Sequence, residues 1–159
     1  MTISLSTDAL VDNILALAAM RHAVNPSDTG TLSRDRRPAI ARLARAAAAP
    51  VALALMPEIT GCNVLDEPDG SDTTDPADSG KPSDRLITFE LRENCMADPM
   101  VLRMLIEHTV TAGILAAIYS GTDDKASAIY ADDHAASLRR LSRAVSAARP
   151  PVRLRPYPG

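Results

Sequence analysis

The stretch from Val101 to Ile118 constrains this chain more than any other. Val101, Leu102, Met104, Leu105, Ile106, Val110, Ile114, Leu115 and Ile118 lie on nearly every side of a helical wheel. A helix that is apolar all round must be enclosed by neighbours or by lipid. Arg103, Glu107 and His108 interrupt it, and its uncharged part, Thr109 to Thr122, has only 14 residues. A bilayer span needs about 20 residues. The expectation is therefore a buried central helix with no membrane partner. Asp98 is a good N-cap, Pro99 suits the first helical position, and Gly121 is placed to end the helix. Gly113 with Ala112, Ala116 and Ala117 permits close helix approach.

Three further helices can be read around it. Ser6 or Thr7 caps the first, with Asp8 in its first turn and Leu10, Ile14, Leu17 and Ala18 at helical spacing beside Val11 and Leu15. It fades near Val24, where Asn25, Pro26 and Gly30 are breakers. Ser33 opens the second. Its face is Ile40, Leu43, Ala44 and Ala47, Pro38 sits near its first turn, and Arg36, Arg37, Arg42 and Arg45 occupy the other sides. Pro50 removes a hydrogen bond and clashes one turn back, so it is expected to break or kink this helix before a second apolar segment, Val51 to Met56. Asp123 or Asp124 caps the last helix, which is expected to reach Arg149. Tyr130, His134, Leu138, Leu141 and Val145 form its packing seam. The link at Gly121 is short, so the third and fourth helices should pack antiparallel.

Between the second and third helices, Ile87, Phe89 and Leu91 alternate with Thr88, Glu90 and Arg92, the pattern of a half-buried strand. A lone strand leaves its backbone groups unpaired. Its partner is either Ile59 to Leu65, where Cys62 and Val64 alternate, or a strand of another subunit. Residues 66–84 carry Asp66, Glu67, Asp69, Asp72, Asp75, Asp78 and Asp84 against Lys81, with no large apolar residue. Such a segment cannot bury enough surface to offset its ordering entropy, and it reads as a long mobile acidic loop. The expected fold is mainly α: one four-helix bundle-like domain over 1–149, with one strand or β-hairpin between helices 2 and 3. An extended Arg/Pro-rich tail follows at 150–159. A length of 159 residues suits one domain with a real core.

No catalytic motif stands out. There is no HExxH, Cys/His cluster, GxSxG, P-loop or GxGxxG. His108 follows Glu107 and His134 follows Asp132-Asp133, but sequence neighbours on a helix point to different sides and make no metal face. Asp123-Asp124 and Asp132-Asp133 are read as caps and a solvated face. Cys62 and Cys95 lack a CxxC spacing and read as reduced thiols, with a disulfide left open. MTISLSTDAL has neither a basic n-region nor an apolar h-region, so no secretory signal is expected. The residues point to no enzyme, cofactor or metal.

The charge layout says more. Acidic residues collect at 66–84; basic ones collect late, at Arg139, Arg140, Arg143, Arg149, Arg153 and Arg155, with none acidic after Asp133. The net charge of −3 argues against a chain-wide nucleic-acid footprint. A basic tail grips either phosphates or an acidic protein face. Leu154 and Tyr157, set among Arg and Pro, give residues 149–157 the look of a docking peptide, with Arg149, Arg153, Leu154, Arg155 and Tyr157 as partner-binding candidates. The prolines restrict the tail before it binds and so lower the cost of ordering it.

The strand LITFELREN, the helix beginning DPMVLRMLIEHTVTAGIL, the helix with AIYADDHAASLRRLSRAV and the close RPPVRLRPYP together resemble phage head–tail connector (adaptor) proteins. The likeness is to a group encoded by phages and phage-like elements of gut bacteria. It covers 84–159 best, while the first two helices fit in position and length. The acidic insertion at 66–84 and Pro50 depart from the pattern. The resemblance implies a non-enzymatic virion protein, present in host cytoplasm during assembly. It would form a homo-oligomeric ring at the portal and bridge head to tail, with DNA only as passing genome. In that setting Asp66, Glu67, Asp69, Asp72, Asp75 and Asp78 would face the channel or solvent and repel DNA, and the tail would reach a neighbouring subunit or the portal. The alternative is a small nucleic-acid-binding or regulatory module using the Arg-rich last helix and tail.

Overall fold

Ile87, Phe89 and Leu91 face the core while Leu86 and Glu90 face out, and the strand that carries them, β3 (Leu86–Leu91), is the middle of a three-stranded antiparallel sheet. A computed structural model of the chain describes residues 1–24, 32, 34–56, 58–64, 86–93, 95 and 97–147. The acidic segment 66–84 and the tail 150–159 lie outside the described residues.

On one side β3 pairs with β2 (Ile59–Cys62), in a register that shifts between Ile59 and Gly61. This is the expected partner, drawn from within the chain. On the other side it pairs with β1 (Thr2–Ser6), which the sequence reading placed in no strand. β1 puts Ile3 and Leu5 into the core and passes directly into α1 (Thr7–Val24), with the Ser6 hydroxyl accepting from the Ala9 amide at 3.3 Å.

Among the described residues there are four α-helices, and the first three pack against this sheet. After a single 3-10 turn at Arg34–Arg36 comes α2 (Arg37–Leu55), with Pro38 in its first turn. Of the break or kink expected at Pro50, the break does not occur: α2 runs on through it. Ile40, Ala44 and Ala48 before Pro50 and Val51, Ala52 and Leu55 after it are all buried on one face. Proline inside a helix costs about 3 kcal/mol. Burying a valine and a leucine beyond it contributes about 1.5–3 kcal/mol each, so packing outweighs the lost hydrogen bond.

α3 (Pro99–Tyr119) starts at Asp98, whose Oδ1 accepts from the Met100 amide at 2.8 Å. It stops before Gly121, where φ is +86°, a value that favours glycine. α4 (Asp124–Ala147) returns antiparallel, and its Asp123 cap accepts from the Ala126 amide at 3.0 Å. The helix is described to Ala147, and Arg149 lies outside. α3 packs against α4, α2, α1 and β1. Leu102, Ile106, Val110, Ile114, Leu115 and Tyr119 are buried. By length and hydropathy α2 and α3 would both be long enough to cross a bilayer, yet each turns a buried face into this core.

Gly113 marks the tightest helix contact. A Cβ there would stand 3.0 Å from the His134 ring and 3.1 Å from Ala47 Cβ, so α2, α3 and α4 meet where one residue has no side chain. Cys62 and Cys95 are both half-buried and are not joined in a disulfide.

Candidate docking surface

α3 departs from its expected enclosure in its first two turns. Met100 is 73% exposed, Val101 51% and Met104 65%. Met100 and Met104 are one helical turn apart, and Arg103 and Glu107 lie on the same side. Their floor is a cavity of about 440 Å³ between this helix face and strand β1, lined by Thr2, Ser4, Met100, Arg103, Met104 and Glu107. A second cavity of about 340 Å³ continues along α3, shares Met104 and Glu107, and reaches Asn13 and Leu17 of α1. Together they form one groove with a thioether-rich wall.

The other wall is the edge of a sheet. Met1 and Leu91 exchange both backbone hydrogen bonds, at 2.8 and 2.9 Å. Antiparallel strands alternate such pairs with pairs whose N–H and C=O groups turn away. In the observed register Ile3 and Leu5 therefore bond to β3, while the backbone groups of Thr2 and Ser4 turn toward the groove. Among the described residues no strand pairs with this edge of β1. A free strand edge is a template for another strand.

The groove also holds a polar group without a partner. The buried Thr111 hydroxyl has no hydrogen-bond partner among the described residues, and Thr111 lines the second cavity. A hydroxyl withdrawn from water in this way costs about 1–3 kcal/mol.

The opposite end of the bundle is closed. Arg21 of α1 pairs with Asp123, and its guanidinium lies 4.7 Å from the Tyr119 ring, which stacks on Tyr130 at 5.8 Å. The Ala126 amide, and after it the charge and hydrogen bond of Arg21, hold the Asp123 carboxyl below the usual range.

Two histidines, His108 and His134, serve the contact between α3 and α4. His134 Nδ1 lies 2.8 Å from the Thr109 carbonyl oxygen, which only accepts, so this nitrogen carries the proton. His108 Nε2 lies 3.0 Å from Asp133 Oδ2 across α3 and α4, near the surface. Among the described residues no three His, Cys, Asp or Glu side chains come together as a metal site.

Arg139, Arg140 and Arg143 are exposed on α4. The partner-binding candidates Arg149, Arg153, Leu154, Arg155 and Tyr157 lie outside the described residues, as do Asp66, Glu67, Asp69, Asp72, Asp75 and Asp78. The groove itself was missed from sequence. The Met100–Met104 spacing and the Ile3–Leu5 alternation are its traces there, and neither marks an uncovered face. No protein-family model, curated protein or solved structure matches the chain.

Proposed function

We propose that this chain is a non-enzymatic assembly subunit of the phage head–tail connector type, which oligomerises at a portal and bridges head to tail. The single observation that carries the reading is the groove of Met100 and Met104 beside the free edge of β1. A monomer working alone has no use for an apolar helix face next to unpaired strand groups. A subunit fitted against others does. The resemblance of residues 84–159 to connector proteins supplies the identity of the assembly, and the Arg/Pro-rich tail supplies a second contact element. In a ring, the acidic segment 66–84 would repel genome phosphates and let DNA slide.

The test is light scattering and electron microscopy of the purified chain, alone and with a candidate portal. Rings, or complexes on the portal, are expected, and removal of residues 150–159 should abolish them without unfolding the domain. A chain that stays monomeric at every concentration and ignores the portal overturns the proposal. The exposed Arg139, Arg140 and Arg143 favour one second reading, duplex DNA binding through α4 and the tail. Its mark would be affinity that falls steeply with added salt.

A further inference from the structure

We propose that residues 152–155 of a second copy add a short strand to the free edge of β1, seated in the groove against Met100 and Met104. The inference rests on the assembly reading and names the contact that would build the oligomer.

The groove asks for an extended segment with one apolar face. The backbone of Thr2 and Ser4 offers hydrogen bonds, and the Met100 and Met104 side chains offer an apolar wall on one side only. Val152-Arg153-Leu154-Arg155 has that pattern: Val152 and Leu154 fall on one face, and Arg153 and Arg155 on the other. Pro150-Pro151 and Pro156 bound the four residues. Prolines cannot donate to a ladder, so an added strand would stop at that length. It matches an edge whose groove-facing residues are Thr2 and Ser4.

The groove's own charges, Glu107 and Arg103, lie together on its α3 side and offset each other. With Val152 and Leu154 turned to α3, Arg153 and Arg155 would face the solvent side of the sheet.

Geometry selects a second copy over the chain's own tail. Ala116 meets Ser127, and Thr109 meets His134, so α3 and α4 run level in opposite directions. Extending that register puts Ala147 beside the start of α3. At 100° per residue, Thr109, Gly113 and Ala116, which face α4, lie on the side of α3 opposite Met100, Met104 and Glu107. A tail leaving α4 starts on the far side of α3 from its own groove. Helix axes pack 8–10 Å apart and a helix is about 10–12 Å across, so even a straight line from the α4 axis to the far surface of α3 is about 15 Å. The five steps from Ala147 to Val152 span at most about 17 Å fully extended. The chain's own tail would therefore have to run nearly straight and fully extended to arrive there. A neighbouring copy meets no such limit.

The experiment uses a fluorescent peptide of residues 148–159 and full-length chain carrying Leu154→Asp, whose own tail is disabled. Fluorescence anisotropy reads peptide binding, and sedimentation velocity reads self-association of wild type and variants. Saturable binding to the Leu154→Asp chain is expected. Met104→Glu or Ser4→Pro, added to that chain, should weaken it at least tenfold. Ser4→Pro removes a groove-facing N–H while leaving the β1–β3 bonds in place, and circular dichroism checks that both variants fold. Wild type should self-associate more strongly than Leu154→Asp. Peptide binding unchanged by both groove substitutions overturns the site. No peptide binding while wild type still oligomerises overturns the tail assignment and leaves the assembly reading standing. A monomeric wild type that excludes the peptide while the Leu154→Asp chain accepts it shows the chain's own tail in the groove, and overturns the second-copy assignment. Normal peptide binding with no complex on any portal supports the strand contact and counts against the connector reading alone.

Discussion

Single atoms decide how closely the three helices meet at Gly113. A methyl group there would press on the His134 ring at 3.0 Å and on Ala47 at 3.1 Å. His134 is tied to the Thr109 carbonyl and Ala47 sits on the α2 backbone, so neither yields easily. Overpacking costs about 1–3 kcal/mol, and alanine regains up to about 1 kcal/mol of helix propensity over glycine. Gly113→Ala should therefore lower stability by about 1–2 kcal/mol in urea unfolding. Asp123 makes a prediction in pH. Its folded pKa lies below the ordinary 3.8. As the pH falls past that value the unfolded chain takes up the proton first, so the contribution is complete above it and is lost through the folded pKa. Asp123→Asn keeps a capping oxygen but removes the charge beside Arg21. It should melt at a lower temperature than wild type at pH 7, and the gap should close below about pH 4.

Among the elements, α2 is the one that works against its own sequence. Pro50 leaves one backbone carbonyl without its helical donor, and packing on both sides holds the helix together. Pro50→Ala should raise stability by about 2 kcal/mol, the restored hydrogen bond less the entropy regained by the unfolded chain. Most of the other elements were legible because their signals are local. Asp98-Pro99, Gly121 and the alternation at 86–91 each punctuate or pattern a few adjacent residues. β1 was not legible. It has only two inward residues, Ile3 and Leu5, no turn separates it from α1, and its partner strand is far away in sequence. The continuity of α2 through Pro50 was not legible, because the local clash is visible in sequence and the compensating burial of Val51 and Leu55 is not. The groove was hidden for a related reason. In a helix apolar all round, nothing marks Met100 and Met104 as uncovered until the neighbours are placed.

At the scale of the molecule the two ends differ. One is locked by Arg21, Asp123 and the Tyr119–Tyr130 stack; the other opens between β1 and α3. Tyr119 is buried, so Tyr119→Ala should cost about 3 kcal/mol and lower the melting temperature in calorimetry. Met104→Glu sits at the open end on a side chain in contact with solvent. It should leave the melting temperature of the monomer nearly unchanged, within about 0.5 kcal/mol. The pairing of Met1 with Leu91 joins residues 90 positions apart. At about 5–20 residues per second, the first strand leaves the ribosome roughly 5–20 s before its mate is made. The α3–α4 hairpin needs only neighbours and forms fast once synthesised. Until that mate is made, the nascent chain carries Ile3 and Leu5 uncovered, within reach of chaperones.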